Sequence, residues 1–273
     1  EPPEYDRAKI PANAKGTLHH EILQKFYIYV TKNKLLDKLF TGAAGDIFEE
    51  FSNSSLTAER YKEYGLYPLV WKELCKDIKK NLRHLIEADL PVLQQNNLTP
   101  SFFEYHLEAE ADFDGVKLKL HGETDRIDIN KETLFCRVVD YKSGKEDSSM
   151  LKAIFEKGIL QPPLYMLMIN ESKDKNLQGC KAQSASLLAV EEEGNPEKSF
   201  SLSEYEAVRE PFERAVKYRL DLAREGVFLI TPCEDTCKYC AFADICRKDH
   251  VPSLRRAALS AQAVKLRSFN APK

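Results

Sequence analysis

The apolar residues in the first third of the chain recur at the spacing of helices. Between residues 16 and 30 the apolar positions are Leu18, Ile22, Leu23, Phe26, Tyr27 and Val30. Steps of three and four residues place them on one face of an α-helix. Residues 33–100 continue with apolar positions spread among Lys and Glu, and they predict a helical region that Pro91 interrupts or restarts.

The pattern changes to the period of β-strands near residue 102. Val116, Leu118 and Leu120 alternate with Lys117, Lys119 and His121, as in a half-buried strand. The pair Asp114–Gly115 before them is a strong hairpin signal. Further strands are predicted from about 123 to 129 and from 134 to 142, on either side of a turn. The region therefore predicts a meander of antiparallel strands.

Helical and strand patterns alternate in the remainder of the chain. Residues 148–171 predict a helix with a break near Gly158, and residues 185–190 predict a strand. Ser201 or Ser203 can cap a helix that ends at about Arg224.

Composition and charge exclude several classes of protein. With 273 residues, 43% of them hydrophobic, the chain is long enough for one large or two small domains and is neither disordered nor fibrous. The net charge of −3 offers no overall attraction to nucleic acid, although residues 247–273 carry seven Lys or Arg and one Asp. No apolar run approaches the length of a membrane helix and no secretion signal opens the chain. We therefore expect a cytoplasmic protein that has no membrane partner and, because it begins with Glu1, is a fragment or a processed product.

Two carboxylates and a lysine are predicted to converge at one end of the meander. Asp140 and Lys142 share a face of their strand because strand side chains alternate. Asp125 lies on the partner strand, where a hairpin brings facing side chains to about 5 Å. Such carboxylates bind Mg²⁺, and a lysine can neutralise charge that develops on a phosphate. The alternative interpretation is an ordinary surface Asp–Lys pair.

Three other residues strengthen the catalytic interpretation. His20 lies near the start of the first predicted helix, where a neutral imidazole could complete a metal site. Gln161 and Tyr165 are four residues apart, on one helix face, from which they could donate hydrogen bonds to a substrate backbone. Each of the three alone would be interpreted as an ordinary surface or core residue.

These stretches, taken in order, resemble the motifs of the RecB-like branch of the PD-(D/E)XK nucleases, especially the AddB type. The similar stretches are residues 16–23, 122–128, 138–144 and 161–165. The resemblance implies a nuclease domain over residues 1–246 with a restriction-endonuclease-like core of the α/β (α+β) class. It implies a central mixed sheet flanked by helices, a helical insertion at 33–100, a cysteine cluster at 229–250 and a basic tail at 247–273.

The resemblance also implies a function and a set of site residues. It implies a metal-dependent DNA exonuclease that works beside a helicase domain or subunit in DNA repair or recombination. His20, Asp125 and Asp140 would hold Mg²⁺ or Mn²⁺, and Lys142 would assist the attacking water. Gln161 and Tyr165 would position the DNA strand.

Four of the seven cysteines fall within 14 residues, at Cys233, Cys237, Cys240 and Cys246. In a chain without export signals such a cluster favours metal ligation over disulfides. The last three resemble the carboxy-terminal ligands of the [4Fe–4S] cluster in AddB-type nucleases, whose fourth cysteine lies upstream of the histidine motif. No cysteine precedes Cys75 here, so Cys233 replaces that ligand or the set is incomplete. Two alternatives remain, which are a zinc site that includes His250 and four free thiols.

Two functions from different classes follow from these features. The first is an active nuclease for DNA. The second is a catalytically inactive DNA-binding or scaffold module that keeps the fold and a structural metal cluster. The intact Asp125, Asp140 and Lys142 favour the first. A hydrolase that uses the cysteines around zinc is disfavoured, because four protein ligands leave no open position for water.

Overall fold

The computed structural model describes most of the chain as two compact units. The described residues are 7–113, 115–144, 154, 160–229, 237, 240–242, 245–246 and 249–269. The first unit comprises residues 1–109, 120–147 and 161–201, and the second comprises residues 110–119, 148–160 and 202–273. All of the predicted site residues except the cysteines belong to the first unit.

Helices form the amino-terminal part of the first unit. They are α1 (Ala12–Lys32), α2 (Leu36–Lys38), α3 (Ala44–Ser55) and α4 (Pro68–Gln95), with a π-helical turn at Leu39–Ala43 and a 3₁₀ turn at Ala58–Lys62. The six apolar residues that predicted α1 are fully buried. They pack in one core with side chains of α3, α4 and the sheet residues Val139, Tyr141 and Leu188. The helical prediction for residues 33–100 is confirmed, and helix is replaced by strand at Thr99.

Two details of the helix prediction are wrong. Helix α1 begins at Ala12, after Pro11, so His20 lies in its third turn and not near its start. Pro91 neither interrupts nor restarts α4, which continues to Gln95. The ring of Pro91 is exposed, whereas Leu90 and Leu93 on either side of it are buried. Burial of these side chains offsets the loss of one helical hydrogen bond.

The described residues contain one sheet of five strands in the order β1-β2-β3-β4-β5. The strands are β1 (Thr99–Phe113), β2 (Val116–Ile129), β3 (Phe135–Lys142), β4 (Lys181–Ala189) and β5 (Glu197–Ser201). Strand β3 runs antiparallel to β2 and parallel to β4, and β5 runs antiparallel to β4. The sheet is therefore mixed, as expected, and the meander prediction is confirmed for β2 and β3.

The sequence predicted two strands where the structure has one. Strand β2 runs without a break through Gly122. A Cβ atom at this position would lie 3.0 Å from ring atom Cε1 of Tyr165. Gly122 therefore marks a close approach to a neighbouring helix and not the end of a strand.

Helix α5 (Gln161–Glu171) precedes β4 and packs against β3 and β4. It is the described end of the helix predicted over 148–171. Residues 148–153 and 155–159 lie outside the described residues.

The second unit contains three helices in its described part, α6 (Leu202–Arg224), α7 (Val251–Leu259) and α8 (Ala261–Ser268). The prediction of a helix from Ser201 or Ser203 to Arg224 is confirmed. Tyr218 of α6 contacts Phe269, with ring centroids 5.5 Å apart, and the ammonium group of Lys265 lies 4.6 Å from its ring centre. The described part of the basic tail is therefore helical and packs on α6. None of the described helices is both long enough and apolar enough to span a membrane.

Candidate active site

Strand pairing brings Asp125 and Asp140 to neighbouring positions at one end of the sheet. Arg126 pairs with Val139 in the antiparallel register, and the two aspartates are the next residues outward along β2 and β3. The backbone N–H of Tyr141 donates a hydrogen bond of 2.5 Å to Asp125 Oδ2. The Asp125 side chain is thus tied to the backbone between Asp140 and Lys142, as the alternation of strand side chains had suggested.

Lys142 lies directly on Asp140. Its Nζ atom is 2.5 Å from Asp140 Oδ2 and donates a 3.1 Å hydrogen bond to Gln161 Oε1 at the start of α5. Burial raises the pKa of Asp140, the nearby Lys142 ammonium opposes that shift, and the charge of Asp125 adds to it. The net upward direction shows that Lys142 alone does not compensate this pair of desolvated carboxylates.

His20 reaches the same carboxylates from α1. Its Nδ1 atom lies 3.1 Å from Asp125 Oδ1, and its ring meets the Tyr141 ring edge-on at 5.7 Å between centroids. Burial lowers the pKa of His20, but the hydrogen bond and charge of Asp125 raise it by more. Gly16 permits this approach of α1, because a Cβ there would lie 2.6 Å from Ser143 Oγ at the end of β3.

A fourth residue, Glu104 of β1, belongs to the site and was missed by the sequence analysis. One ligand atom from each of His20, Glu104 and Asp125 lies within 4.8 Å of the other two. The backbone at Glu104 has a φ of 44°, a strained value for a residue with a side chain. Burial raises the pKa of Glu104 to about 7, with further contributions from the charge of Asp125 and from a hydrogen bond with Glu123.

A signal for Glu104 was present in the sequence. Counting outward from the Asp114–Gly115 turn places Glu104 opposite Asp125. The ion pair between His106 Nδ1 and Glu123 Oε2, at 3.0 Å, has the same register. A register count across the first hairpin would therefore have found this carboxylate.

Gln161 and Tyr165 contact the site from the protein side. Gln161 accepts from Lys142, and its Nε2 atom is 3.5 Å from the Tyr165 hydroxyl. The Tyr165 hydroxyl donates a 2.6 Å hydrogen bond to the carbonyl oxygen of Glu123 in β2. Tyr165 is 7% exposed, so in this arrangement its proton serves β2.

The cysteines do not form a described metal site. Cys237, Cys240 and Cys246 are described as free and at least partly accessible, and Cys233 lies outside the described residues. Within the described part of the chain, the one group of three or more potential ligands is that of His20, Glu104 and Asp125. The iron–sulfur and zinc hypotheses for the cysteine cluster therefore stay predictions.

Comparison with known proteins identifies the family. The model of the PD-(D/E)XK nuclease superfamily matches residues 3–247. The chain belongs to the PD-(D/E)XK nuclease superfamily. The predicted family and fold class are thus confirmed, and the helix-flanked mixed sheet is the core of a nuclease superfamily member.

Two individual proteins are similar to this chain. One is a large subunit of the ATP-dependent helicase/deoxyribonuclease from Clostridium tetani (strain Massachusetts / E88), which is 25% identical over 150 residues. These residues are 50% of this chain and 13% of that protein, so the chain spans a small part of its relative's length. The crystal structure of SSO0001 is similar over 68% of this chain and 77% of that one, with 18% identity and a TM-score of 0.33.

Proposed function

We propose that this chain is a divalent-metal-dependent deoxyribonuclease that hydrolyses phosphodiester bonds, acting as an exonuclease beside a helicase. The observation that supports the proposal best is the convergence of His20, Glu104 and Asp125 beside the paired Asp140 and Lys142. Membership of a nuclease superfamily agrees with this arrangement.

The residues present fit a divalent cation. Carboxylate oxygens are the preferred ligands of Mg²⁺ and Mn²⁺, and an imidazole nitrogen is compatible with Mn²⁺. Burial raises the pKa of both Asp140 and Glu104, which indicates carboxylates with too little positive charge around them. His20, Glu104, Asp125 and Asp140 would hold the ion, which when bound lowers the pKa of water and stabilises charge on a phosphoryl oxygen.

The surrounding side chains would orient the reacting groups. Lys142 is held between Asp140 and Gln161, so its ammonium group is oriented before substrate arrives and can donate to a phosphate oxygen or to the attacking water. Gln161 keeps its amide donors for the DNA backbone. Tyr165 supports β2 through Glu123, so we assign it to positioning the site more than to DNA contact.

The helicase partner is proposed from the name of the similar protein, which belongs to an ATP-dependent helicase/deoxyribonuclease. The second candidate function is a DNA-binding scaffold without catalysis. The ordered contacts of Asp125, Asp140 and Lys142 favour catalysis, because a scaffold would not require them.

For the cysteine cluster we propose a structural [4Fe–4S] cluster, with zinc as the alternative. Thiolates are the usual ligands of iron–sulfur clusters. A broad visible absorption band in anaerobically purified protein would support iron–sulfur, whereas a colourless protein with stoichiometric zinc would support the alternative.

The decisive experiment is degradation of linear and circular DNA by purified protein with Mg²⁺ or Mn²⁺. We expect degradation of linear DNA by the wild type, loss of this activity in Asp140→Ala, and retention in Glu132→Ala, a control at an exposed turn residue. Lys142→Ala should lower turnover far more than DNA affinity. Retained DNA binding without cleavage under either metal would instead establish the scaffold function.

A further inference from the structure

A network of four buried charges lies beside the candidate active site. Asp89, Arg126, Asp128 and Arg137 are each at most 2% exposed. Asp89 accepts from Arg126 and from Arg137, both at 2.7 Å, and Arg126 Nε lies 2.8 Å from Asp128 Oδ1. Two positive and two negative groups therefore compensate one another away from water, where removal of any one charge is costly.

Asp89 is held ionised at the centre of this network. Burial raises the pKa of its carboxyl, but Arg126 and Arg137 lower it further, to about 2. Asp89 lies on α4, within the helical region that carries no recognised nuclease motif. It thereby connects that region to both β2 and β3.

The network reaches the site through Tyr141. Arg126, the residue after Asp125, donates a 2.9 Å hydrogen bond from Nη1 to the Tyr141 hydroxyl. Tyr141 contacts the metal-facing side chains in two ways. Its backbone N–H donates to Asp125, and its ring packs edge-on against His20.

We infer that Asp89 and Arg126 are positioning residues that act through Tyr141 to hold His20 and Asp125 in the geometry needed for metal binding. This inference rests on the proposed function. Groups that orient metal ligands from behind typically contribute a factor of about 10 to 100 to metal affinity. The helical region 33–100 would therefore supply part of the metal affinity although none of its residues enters the site.

The sharpest test compares two single-hydroxyl deletions in the same network. Tyr141→Phe removes the group that accepts from Arg126 and keeps the ring beside His20. Tyr27→Phe removes a hydroxyl that donates a 2.7 Å hydrogen bond to Asp89 and keeps the ring on which the Arg126 guanidinium rests, 4.2 Å from its centre. Both hydroxyls are buried, so the two variants make similar changes, but only one lies between the network and the site.

The measurements are the dissociation constant of Mn²⁺, followed by electron paramagnetic resonance, and the melting temperature. We expect both variants to lose a few degrees of thermal stability. We expect the Mn²⁺ dissociation constant to rise about tenfold in Tyr141→Phe and to change less than twofold in Tyr27→Phe. Asp89→Asn should raise it as well, with the exposed Asp77→Asn on the same helix as its control. If Asp89→Asn fails to fold, the tyrosine pair decides.

Equal Mn²⁺ affinity in the wild type and Tyr141→Phe would overturn the inference and leave the proposed function intact. Equal weakening in both tyrosine variants would also overturn it, because the effect would then be general loss of packing. A wild-type protein that binds no Mn²⁺ would refute the proposed metal site and the inference together. Because the readout is metal binding, failure to cleave DNA alone would count only against the proposed activity.

Discussion

His19 offers a quantitative test of the packing of α1. Its side chain is completely buried, and neither ring nitrogen has a hydrogen-bond partner among the described residues. Burial lowers the pKa of His19 from 6.5 to about 4, with a further contribution from Lys15 that nearby Glu191 opposes. The imidazole is therefore buried in its neutral form and has at least one polar atom that finds no partner.

The sign of the pH dependence follows from these values. Below pH 6.5 the unfolded chain binds a proton at His19 that the folded chain excludes until the pH approaches 4. Unfolding is therefore favoured as the pH falls, by about 2 kcal/mol between pH 8 and pH 5. His19→Leu removes this contribution and the unsatisfied ring nitrogens together. We expect the variant to be more stable than the wild type by about 1 kcal/mol or more at pH 8, and by about 2 kcal/mol more than that at pH 5.

Urea unfolding at a series of pH values measures both differences. Trp71, the only tryptophan, is 2% exposed and reports unfolding by its fluorescence. His121→Leu at an exposed position serves as the control for loss of a histidine. If the stability difference between His19→Leu and the wild type is the same at pH 5 and pH 8, the assignment of a buried neutral imidazole is refuted.

Two glycines provide further tests. Gly16→Ala should change the melting temperature little, because the Ser143 hydroxyl can rotate away and alanine favours helix; Gly16→Leu should displace α1 and abolish nuclease activity in a folded protein, as circular dichroism and a DNA degradation assay would show. Gly122→Ala should cost about 1 to 3 kcal/mol of stability in thermal or urea unfolding, because it crowds the Tyr165 ring. The double variant Gly122→Ala/Tyr165→Leu should recover part of that loss, and absence of recovery would contradict the contact.

Periodicity along the chain was sufficient to predict much of the fold. The spacing in α1 predicted which side chains are buried, because a helix presents every third or fourth residue to the core. The alternation in β3 placed Asp140 and Lys142 side by side, and the short turn at 130–133 set the neighbouring strand against it. These features were predictable because each depends on residues close together in sequence.

Other features depend on contacts between distant segments. Pro91 stays within α4 because its neighbours pack into the core, and Gly122 leaves β2 unbroken because Tyr165 fills the space beside it. Glu104 becomes a candidate ligand through the register across the first hairpin and an unusual backbone angle.

The sequence by itself determined the order of the helices and strands, the family and the residues that line one strand face. Only the tertiary structure decided that Glu104 joins His20 and Asp125, and that Asp89 in a helix without a motif connects to Tyr141 through Arg126. The physical reason is that backbone geometry repeats over a few residues and leaves a pattern in the sequence. Contacts across tens of residues depend on how whole elements pack, and composition at any single position does not record them.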